Sequence, residues 1–594
     1  MSAAVAARTT GAYRWLVVPV DPPVEPSRDL VGGKAWSLWR MRSLGLRVPP
    51  AFVVTTEACA AYFADGGTRG AGGLPEGLAD ELEAGIRLLE RRLDRTFGGA
   101  ERPLLVSVRS GAAVSMPGMM DTILDLGCND AVEAALAAET GDPAFAAEVH
   151  RRFTGFYGRL VLGCTEELED LPDTAAVRAA ITADGAGTVP ADPWEQLRAA
   201  VAAVFASSRS RRATAYRRHY GIPDDLGTAV TVQAMVFGNV DDDSGTGVLF
   251  TRSPVDGRRE PYGEYLPRGQ GEDVVSGRVT PEPLQWLAER DPAVHAELLA
   301  AAERLDAEGR DAQDIEFTVQ RGELFLLQSR PAKRTARAAV RIAVALVDEG
   351  TITPAEAVRR VTADQVRTLL RPGIEPAAAE AAELLARGAA ASPGVGTGIA
   401  VGTPEEAQAT PGSVLVRRCT SPEDVHGMIA AVAVVTEQGG ATSHAAVVSR
   451  ALDTPCVVGC GEGTVDRLLG RTVTVDATTG RVYAGEVPTS AVDEAEDDDL
   501  RRLGEWAEQA VARVTVASPG SDVPAPVLDA DAIPPEELGE RLPDIPPGTR
   551  TVSGALFTTP DGVRAAVDAG VDVIVAAHRL PVLLSVVASQ GELS

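Results

Sequence analysis

Strand-like and helical stretches alternate along this chain in blocks of different character, and this alternation most constrains its fold. A chain of 594 residues is too long for one hydrophobic core, so the blocks are expected to be separate domains. Residues 1–340 mix apolar strand-like runs with helical stretches, which predicts an α+β or α/β domain. Residues 341–388 are rich in alanine with spaced acidic residues, which predicts a helical linker.

Three further blocks follow. The run ASPGVGTG at 391–398 breaks the helical pattern, and short strands alternate with helices over 389–490, which predicts a compact α/β domain. Residues 491–548 carry the acidic run DEAEDDD and many prolines, which indicates a solvated and partly disordered linker. Residues 549–594 return to a strand–helix–strand pattern. The predicted fold class is therefore multidomain, with α/β and α+β parts.

The net charge of −28 argues against nucleic acid and anionic membranes as general partners. There is no run of about 18 apolar residues that would predict a membrane span. The N-terminus lacks a signal pattern, and the six cysteines lie far apart without a CxxC pair, so we expect a cytoplasmic protein. Because so acidic a chain repels anions, a site for an anionic substrate must concentrate positive charge locally.

A glycine pair, two hydroxyl residues and a histidine stand where a predicted strand meets a predicted helix. AVAVVTE leads to Gly439 and Gly440, Thr442 and Ser443 offer helix-capping side chains, and AAVVSRAL continues as a helix after His444. Free backbone N–H groups and the positive end of the helix dipole keep an imidazole neutral there and favour a nearby anion. His444 is thus a candidate nucleophile for a phosphoryl group. A histidine that only caps the helix or packs in a core is the alternative.

Two cations stand beside glycine-rich loops in the first block. Lys34 follows two glycines, and it is one of only two lysines in the chain, the other being Lys333. Since arginine replaces lysine almost everywhere else, Lys34 is a candidate for a role that needs a compact ammonium group on a triphosphate. Arg109 ends the strand-like run LLVSVRS and precedes the loop PGMM, so it is a candidate bidentate phosphate ligand. Chance survival of the lysine and a surface salt bridge of the arginine are the alternatives.

A predicted hairpin carries two carboxylates, an amide and an arginine. In DIEFTVQRGELFLLQSR the polar residues alternate with period two, so Asp314 and Glu316 share one face of the first strand, and Gln328 and Arg330 share one face of the second. A carboxylate and an amide oxygen side by side suit Mg²⁺, and the arginine can bind phosphate next to them. A plain amphipathic hairpin is the alternative.

Taken together and in order, these segments resemble the pyruvate, phosphate dikinase family. The similarity is carried by the stretch 420–461 around the histidine and by GGKA, SVRSGAAVSMPGMMDT, SGTGVLFTRSP, QGEDVVSG and DIEFTVQRGELFLLQSRPAKRT. It implies an ATP-grasp nucleotide domain, the helical linker, and a phosphohistidine domain that swivels between two sites. The roles implied are the phosphorylated nucleophile for His444, regulation for Thr442, ATP phosphate contacts for Lys34, Arg109 and Arg330, the phosphate loop for Gly118 and Met119, adenine packing for Gln233 and Met235, and Mg²⁺ binding for Glu316 and Gln328.

The resemblance implies an ATP-dependent kinase or phosphotransferase: ATP and phosphate give AMP, pyrophosphate and a phosphohistidine. Family members continue into a large barrel that binds pyruvate or phosphoenolpyruvate, whereas residues 549–594 resemble only a short remnant of one. We therefore expect the pyruvate site on a separate barrel subunit. A phosphotransferase with a different acceptor and a non-catalytic, ATP-binding regulatory module are the alternatives, and a homodimer is left open.

Overall fold

The computed structural model of the chain describes residues 18–19, 25–64, 66, 73–112, 122–168, 170–210, 213–214, 217–218, 223, 227–276, 279–370, 373–440, 442–452, 454–490, 494–511, 514–530, 545–546 and 548–591. Gly118 and Met119, the residues assigned to a phosphate loop, lie outside the described residues.

The first sheet is antiparallel and buried on both faces along its middle strands, because helices pack on it. Its strands, in spatial order, are Val18–Pro19, Ala51–Val54, Ala229–Ala234, Val106–Gly111 and Thr122–Leu126. The helices that share its core are Thr56–Ala64, Leu78–Leu93, Asp130–Thr140, Pro143–Tyr157 and Pro193–Ser207. Asparagine and aspartate side chains at 129, 142 and 192 accept hydrogen bonds from the first turns of the last three helices, which explains where those helices begin.

The second sheet is also antiparallel. Its strands, in spatial order, are Glu282–Pro283, Tyr262–Pro267, Gly245–Phe250, Gln313–Gln320 and Glu323–Pro331. Helices Arg28–Ser43, Leu284–Arg290 and Pro292–Gly309 bury one face. The predicted hairpin is confirmed: Arg321 and Gly322 both have positive φ angles, 54° and 75°, as a tight turn between two strands requires. Alternate residues of strand Gln313–Gln320 pack on the helices, so the residues between them point to the opposite face.

Helices Ala336–Asp348, Pro354–Arg360, Ala363–Leu369 and Pro376–Ala381 follow the second sheet. Threonine hydroxyls cap the first three of them. The predicted helical linker is corrected at its end, because Leu384–Arg387 is a strand of the next sheet. Four residues are too short a run for the period-two signal of a strand to stand out in the sequence.

The third sheet has eight strands and carries the histidine segment. In spatial order they are Leu384–Arg387, Arg481–Ala484, Thr472–Asp476, Val395–Val401, Val414–Arg417, Ala433–Thr436, Cys456–Val458 and Ala389–Ser392. Its middle pairs are parallel and its outer pairs are antiparallel. Helices Pro404–Ala409, Val425–Ala430, His444–Leu452 and Thr464–Leu468 connect the strands, as a compact α/β unit requires.

The prediction of a solvated linker at 491–548 is wrong for part of its length. Helix Asp498–Ala510 buries Leu500, Leu503 and Ala507 completely in a core shared with the helices of 336–370. These three residues have helical spacing, but the acidic residues between them dominate the composition.

A fourth, parallel sheet follows, with strands Thr515–Ala517, Val573–Val575, Thr551–Ser553 and Val527–Asp529 in spatial order. Helices Pro560–Asp568 and Arg579–Gly591 pack in the same core as its strands. The strand–helix–strand pattern of 549–594 is thus present, but two strands from the predicted linker and one further helix join it. In the described part of the chain, no helix is long and apolar enough to cross a membrane.

Candidate active site

A cleft of about 2190 Å³ brings together the first sheet, the second sheet and the segment that carries the histidine. Every site residue predicted from the sequence that the structure describes lines this one cleft: Lys34, Arg109, Gln233, Met235, Glu316, Gln328, Arg330, Thr442 and His444. Arginines from several other elements add positive charge to its walls, namely Arg28, Arg40, Arg151, Arg152, Arg159, Arg209 and Arg418. Nearly as many carboxylates as cations line the cleft, so its wall is close to neutral in a chain whose net charge is −28.

Arg109 joins the two N-terminal sheets across the cleft. It lies on strand Val106–Gly111 of the first sheet, and its Nη2 donates to Glu316 Oε2 of the second sheet at 3.2 Å. Its Nη1 donates to Gln233 Oε1 at 3.3 Å. Gln233 in turn donates from Nε2 to the carbonyl of Pro49, so it is held on both sides. The structure therefore assigns Gln233 a contact that orients Arg109.

Two glycines bring Lys34 against the strand that carries Arg109. Helix Arg28–Ser43 is broken at Gly32, where φ is 76°, and a Cβ atom there would lie 1.8 Å from the Gly111 carbonyl oxygen. The N–H of Gly33 donates to the Ala112 carbonyl at 3.0 Å. Only glycine allows this approach, since a side chain would meet both backbone strain and a clash.

Burial lowers the pKa of Lys34 to about 7, with Arg109 and Arg330 adding to the effect and Glu316 opposing it. Because burial makes the charged form of Lys34 unfavourable, an anion that enters the cleft stabilises that form strongly. The scarcity of lysine therefore pointed to a residue with an unusual electrostatic setting.

Glu316 and Gln328 stand directly opposite each other on the hairpin. Burial raises the pKa of Glu316, but Arg109, Arg330 and Lys34 outweigh it, and the net effect lowers that pKa. The Oε1 atom of Gln328 is buried and has no hydrogen-bond partner among the residues that the structure describes. A charged carboxylate beside an unsatisfied amide oxygen fits Mg²⁺, which binds proteins through one or two such oxygens and the phosphates of a substrate. The described residues contain no cluster of three or more His, Cys, Asp or Glu that could hold a metal by itself.

Arg330 is oriented by Asp314, the residue opposite it. The Nε atom of Arg330 donates to Asp314 Oδ2 at 2.8 Å. Burial raises the pKa of Asp314 against the pull of Arg330, and its second oxygen, Oδ1, has no partner within the described part of the chain. Both residues line the cleft, which brings the guanidinium to a surface that a bound phosphate would contact.

His444 begins helix His444–Leu452 and is 8% exposed. Its Nδ1 atom lies 3.0 Å from the hydroxyl oxygen of Thr420, and its Nε2 atom is buried without a hydrogen-bond partner in the described residues. Burial lowers the pKa of the imidazole to about 4, and Asp424 opposes the shift only partly. The ring is therefore neutral at pH 7, with one nitrogen anchored and the other available to an electrophile.

The predicted capping of this helix is not what the structure shows. The hydroxyl oxygen of Ser443 is buried without a partner in the described structure, and Thr442 donates its hydroxyl to Glu264 of the second sheet. His426, the other histidine of this region, lies near the exposed Glu405 at 3.5 Å and outside the cleft. Thr442 and Ser443 match the sequence pattern of helix caps, but the Thr442 hydroxyl bonds to another sheet and the Ser443 hydroxyl does not cap the helix.

Comparison with known proteins agrees with this geometry. The family model for the pyruvate phosphate dikinase AMP/ATP-binding domain matches residues 28–71 and 74–298, and that for the mobile domain of PEP-utilising enzymes matches residues 409–480. The chain is 40% identical over 552 residues to the pyruvate, phosphate dikinase of Clostridium symbiosum, covering 86% of this chain and 62% of that protein. It is 41% identical over 563 residues to the enzyme of Rhizobium meliloti, with the same coverage, and 41% identical over 542 residues to the chloroplastic enzyme 1 of Zea mays, covering 85% and 56%.

The chain belongs to the pyruvate, phosphate dikinase family. It spans about three-fifths of the length of these curated relatives.

Two residues of this dikinase-family site were not predicted from the sequence. Thr420, which contacts the imidazole, lies 24 residues before it in the chain, and no local pattern marks the pairing. Glu264 accepts a hydrogen bond from the Thr442 hydroxyl and lies 178 residues away in the chain. In the sequence, an acidic residue beside a turn gives no indication of this contact. Both contacts are long-range, so only the fold reveals them.

Proposed function

We propose that this chain catalyses the nucleotide half-reaction of pyruvate, phosphate dikinase, in which ATP and phosphate yield AMP, pyrophosphate and phosphohistidine at residue 444. One observation carries the proposal: the free Nε2 atom of a neutral His444 lines the same cleft as Lys34, Arg109 and Arg330. A neutral imidazole with one nitrogen free is the nucleophile that phosphoryl transfer to histidine needs.

The chemistry balances with the groups in the cleft. Nε2 attacks the β-phosphorus of ATP, the bond from that phosphorus to the oxygen bridging to the α-phosphate breaks, and AMP leaves with the bond's electrons. The γ-phosphoryl group then passes to inorganic phosphate, which gives pyrophosphate and leaves the β-phosphoryl group on Nε2. Lys34, Arg109 and Arg330 stabilise the negative charge that spreads over the phosphate oxygens. Glu316 and Gln328 would hold Mg²⁺, which supplies further charge neutralisation.

The proposed adenine contact is the stretch 233–236, of which Met235 lines the cleft beside Gln233. A methionine offers a polarisable, apolar surface for a flat base. Thr442 is proposed as a regulatory position, since any group added to its hydroxyl would meet the carboxylate of Glu264.

The test uses ATP labelled at the β-phosphate, with Mg²⁺ and phosphate. We expect label on the protein that is lost in acid and stable in base, together with AMP. The His444→Ala variant should bind ATP and remain unlabelled. The proposal would be contradicted if this variant were labelled at the wild-type rate. It would also be contradicted if the wild-type protein took up label only from ATP labelled at the γ-phosphate.

The phosphoryl group is proposed to pass to pyruvate, because the relatives are named for pyruvate. The described residues 514–591 form a four-stranded parallel sheet and no closed barrel, so we expect the purified phosphoprotein to keep its label when pyruvate alone is added. Rapid release of the label as phosphoenolpyruvate would show a pyruvate site in this protein and leave the half-reaction intact. A different acceptor is the second candidate, and label release by other small nucleophiles in the same assay would favour it.

A further inference from the structure

Thr420, which contacts the imidazole of His444, lies in the loop between strand Val414–Arg417 and helix Val425–Ala430. Residues 418–421 of this loop belong to neither a helix nor a strand, and they line the cleft. The loop turns Thr420 inward, since that residue is buried while the following Ser421 is exposed. Contacts of side chains must therefore decide where the Thr420 hydroxyl lies.

Asp424 holds both ends of this loop with one carboxylate. Its Oδ2 atom accepts hydrogen bonds from the backbone N–H of Ser421 at 2.7 Å and from the Ser421 hydroxyl at 3.3 Å. Its Oδ1 atom lies 3.4 Å from Nη2 of Arg417, the last residue of the strand. Because Ser421 directly follows Thr420, the carboxylate spans the segment that carries the Thr420 hydroxyl.

The two contacts of Asp424 differ in their environment. Arg417 is about one-third exposed, and its Nη1 atom also donates to the Gly402 carbonyl at 3.1 Å, so the ion pair adds little. Asp424 itself is buried, and a bond from a backbone N–H to a buried carboxylate is charge-assisted. The bond to Ser421 is therefore the contact that fixes the backbone beside Thr420.

The start of the loop is tied to the segment that leads to the histidine. The carbonyl oxygens of Arg417 and Arg418 accept hydrogen bonds from the backbone N–H groups of Glu437 and Gln438, at 3.1 and 2.9 Å. Asp424 fixes the other end of the loop, and its charge partly opposes the lowering of the pKa of His444. The carboxylate thus lies near enough to the ring for its charge to act on it.

We propose that Asp424 is a positioning residue which, through Ser421, places the Thr420 hydroxyl against Nδ1 of His444 and so presents Nε2 to the phosphoryl donor. This inference rests on the proposed function, because it assumes that Nε2 is the nucleophile. An in-line attack requires the ring to be held accurately, and a hydroxyl on an irregular loop supplies that accuracy only if the loop is itself fixed.

The kinetic test compares Asp424→Ala, Asp424→Asn and Asp424→Glu. Glu405→Ala is the matched control, since Glu405 is an exposed carboxylate in the same α/β unit and lies outside the cleft. We expect Asp424→Ala to lower the rate of β-labelling by about tenfold or more at saturating ATP, with ATP affinity changed by less than about twofold. Glu405→Ala should label at the wild-type rate.

The two conservative variants separate position from charge. Asp424→Asn keeps an oxygen at the right distance for the Ser421 N–H and should stay within about threefold of the wild-type rate. Asp424→Glu keeps the charge on a longer side chain, so it should be slower than Asp424→Asn. The reverse order would show that charge alone matters and would overturn the inference.

A double variant tests whether Asp424 acts through the loop. Thr420→Val/Asp424→Ala should be no more than about twofold slower than the slower single variant, because both changes remove the same contact to the ring. Strict additivity of the two single effects would contradict a shared contact.

Hydrogen–deuterium exchange followed by mass spectrometry supplies a readout that does not depend on phosphorylation. In Asp424→Ala the peptide that contains Ser421 should exchange faster, while strand Thr472–Asp476 of the same sheet keeps its protection. If protection is lost throughout that sheet, Asp424→Glu takes the place of Asp424→Ala in both measurements. An unchanged Ser421 peptide, or labelling at the wild-type rate, would overturn the inference. Absence of label in the wild-type protein would instead remove the proposed function, and the exchange would still decide whether Asp424 fixes the loop of Thr420.

Discussion

Thr420 holds the Nδ1 side of His444 at 3.0 Å, while Nε2 of the same ring is left without a hydrogen-bond partner in the described structure. A hydroxyl oxygen that accepts the Nδ1 proton leaves the lone pair on Nε2, where a nucleophile needs it. Thr420 therefore holds the orientation of the ring, and under the proposed function its hydroxyl accepts the Nδ1 proton so that Nε2 keeps its lone pair.

Replacing Thr420 by valine should lower the rate of β-labelling by about tenfold while ATP affinity is retained, since only the orientation of the ring is lost. Thr420→Ser keeps the hydroxyl and should stay within about threefold of the wild-type rate. The measurement is single-turnover labelling at saturating ATP. Equal rates for the valine and serine variants would show that the hydroxyl does not act on the imidazole.

The second prediction concerns the charge of His444. Its folded-state pKa, about 4, lies below the ordinary value near 6.5, so the folded protein binds fewer protons than the unfolded chain between these two values. Stability contributed by the neutral ring is therefore present above pH 6.5 and is lost as the pH falls toward 4. Histidine Cε1–H exchange followed by mass spectrometry should give a midpoint near 4 for residue 444 in the folded protein and near 6.5 in urea. A folded-state midpoint near 6.5 would show that the ring is solvated.

The third prediction concerns Lys34. Its pKa of about 7 means that the ammonium is charged below that pH and largely neutral above it. An anionic nucleotide favours the charged form, so ATP should bind with uptake of a proton near pH 7.5, and its affinity should fall as the pH rises above 7. Calorimetry in buffers of different ionisation enthalpy measures the uptake. Lys34→Gln should bind ATP more weakly and lose that proton uptake; persistence of the full uptake would assign it to another group.

The hairpin and the site residues on it were predictable because their signal is local. Period-two alternation around Arg321 and Gly322 predicted the hairpin and the strands on which Glu316 and Gln328 lie. Their direct pairing depends on a register shift between Glu316 and Phe317, because an uninterrupted register from the turn would place Leu327 opposite Glu316. Thr420 and Glu264 were not predictable, because their partners are brought to them by the packing of separate units. Helix Asp498–Ala510 was missed for a different reason: three buried apolar residues at helical spacing are outweighed in composition by the charges between them. Local sequence patterns thus predicted the helices and strands that carry the site residues. The contacts between residues of different elements depend on tertiary packing and could not be predicted.

The proposed Mg²⁺ pair predicts a difference between two substitutions on the hairpin. Gln328→Leu removes an oxygen that has no partner in the described structure, so it should leave stability nearly unchanged and weaken Mg²⁺-dependent ATP binding. Glu316→Gln removes the negative charge that pairs with Arg109 across the cleft. It should reduce the Mg²⁺ dependence of ATP binding more strongly than Gln328→Leu does. Titration of ATP affinity against Mg²⁺ concentration separates the two. Unaltered Mg²⁺ dependence in both variants would place the ion elsewhere in the cleft.

The last prediction tests the glycine turn that places Lys34. Gly32→Ala puts a Cβ atom 1.8 Å from the Gly111 carbonyl oxygen at a φ angle of 76°, so it adds a backbone clash to the strain of a left-handed residue. Gly45→Ala is the matched control, because Gly45 has φ of 70° in the loop after the same helix, yet the nearest atom to its Cβ would be a flexible arginine nitrogen at 3.9 Å. We expect Gly45→Ala to cost about 1 kcal/mol and to leave ATP binding unchanged. Gly32→Ala should destabilise the protein by more than about 2 kcal/mol and weaken ATP binding, because the strand of Arg109 and the broken helix of Lys34 must move apart. Denaturant unfolding and ATP affinity, measured side by side, check both effects. Equal effects of the two substitutions on both quantities would mean that left-handed strain alone, and not the close approach to Gly111, makes glycine necessary at position 32.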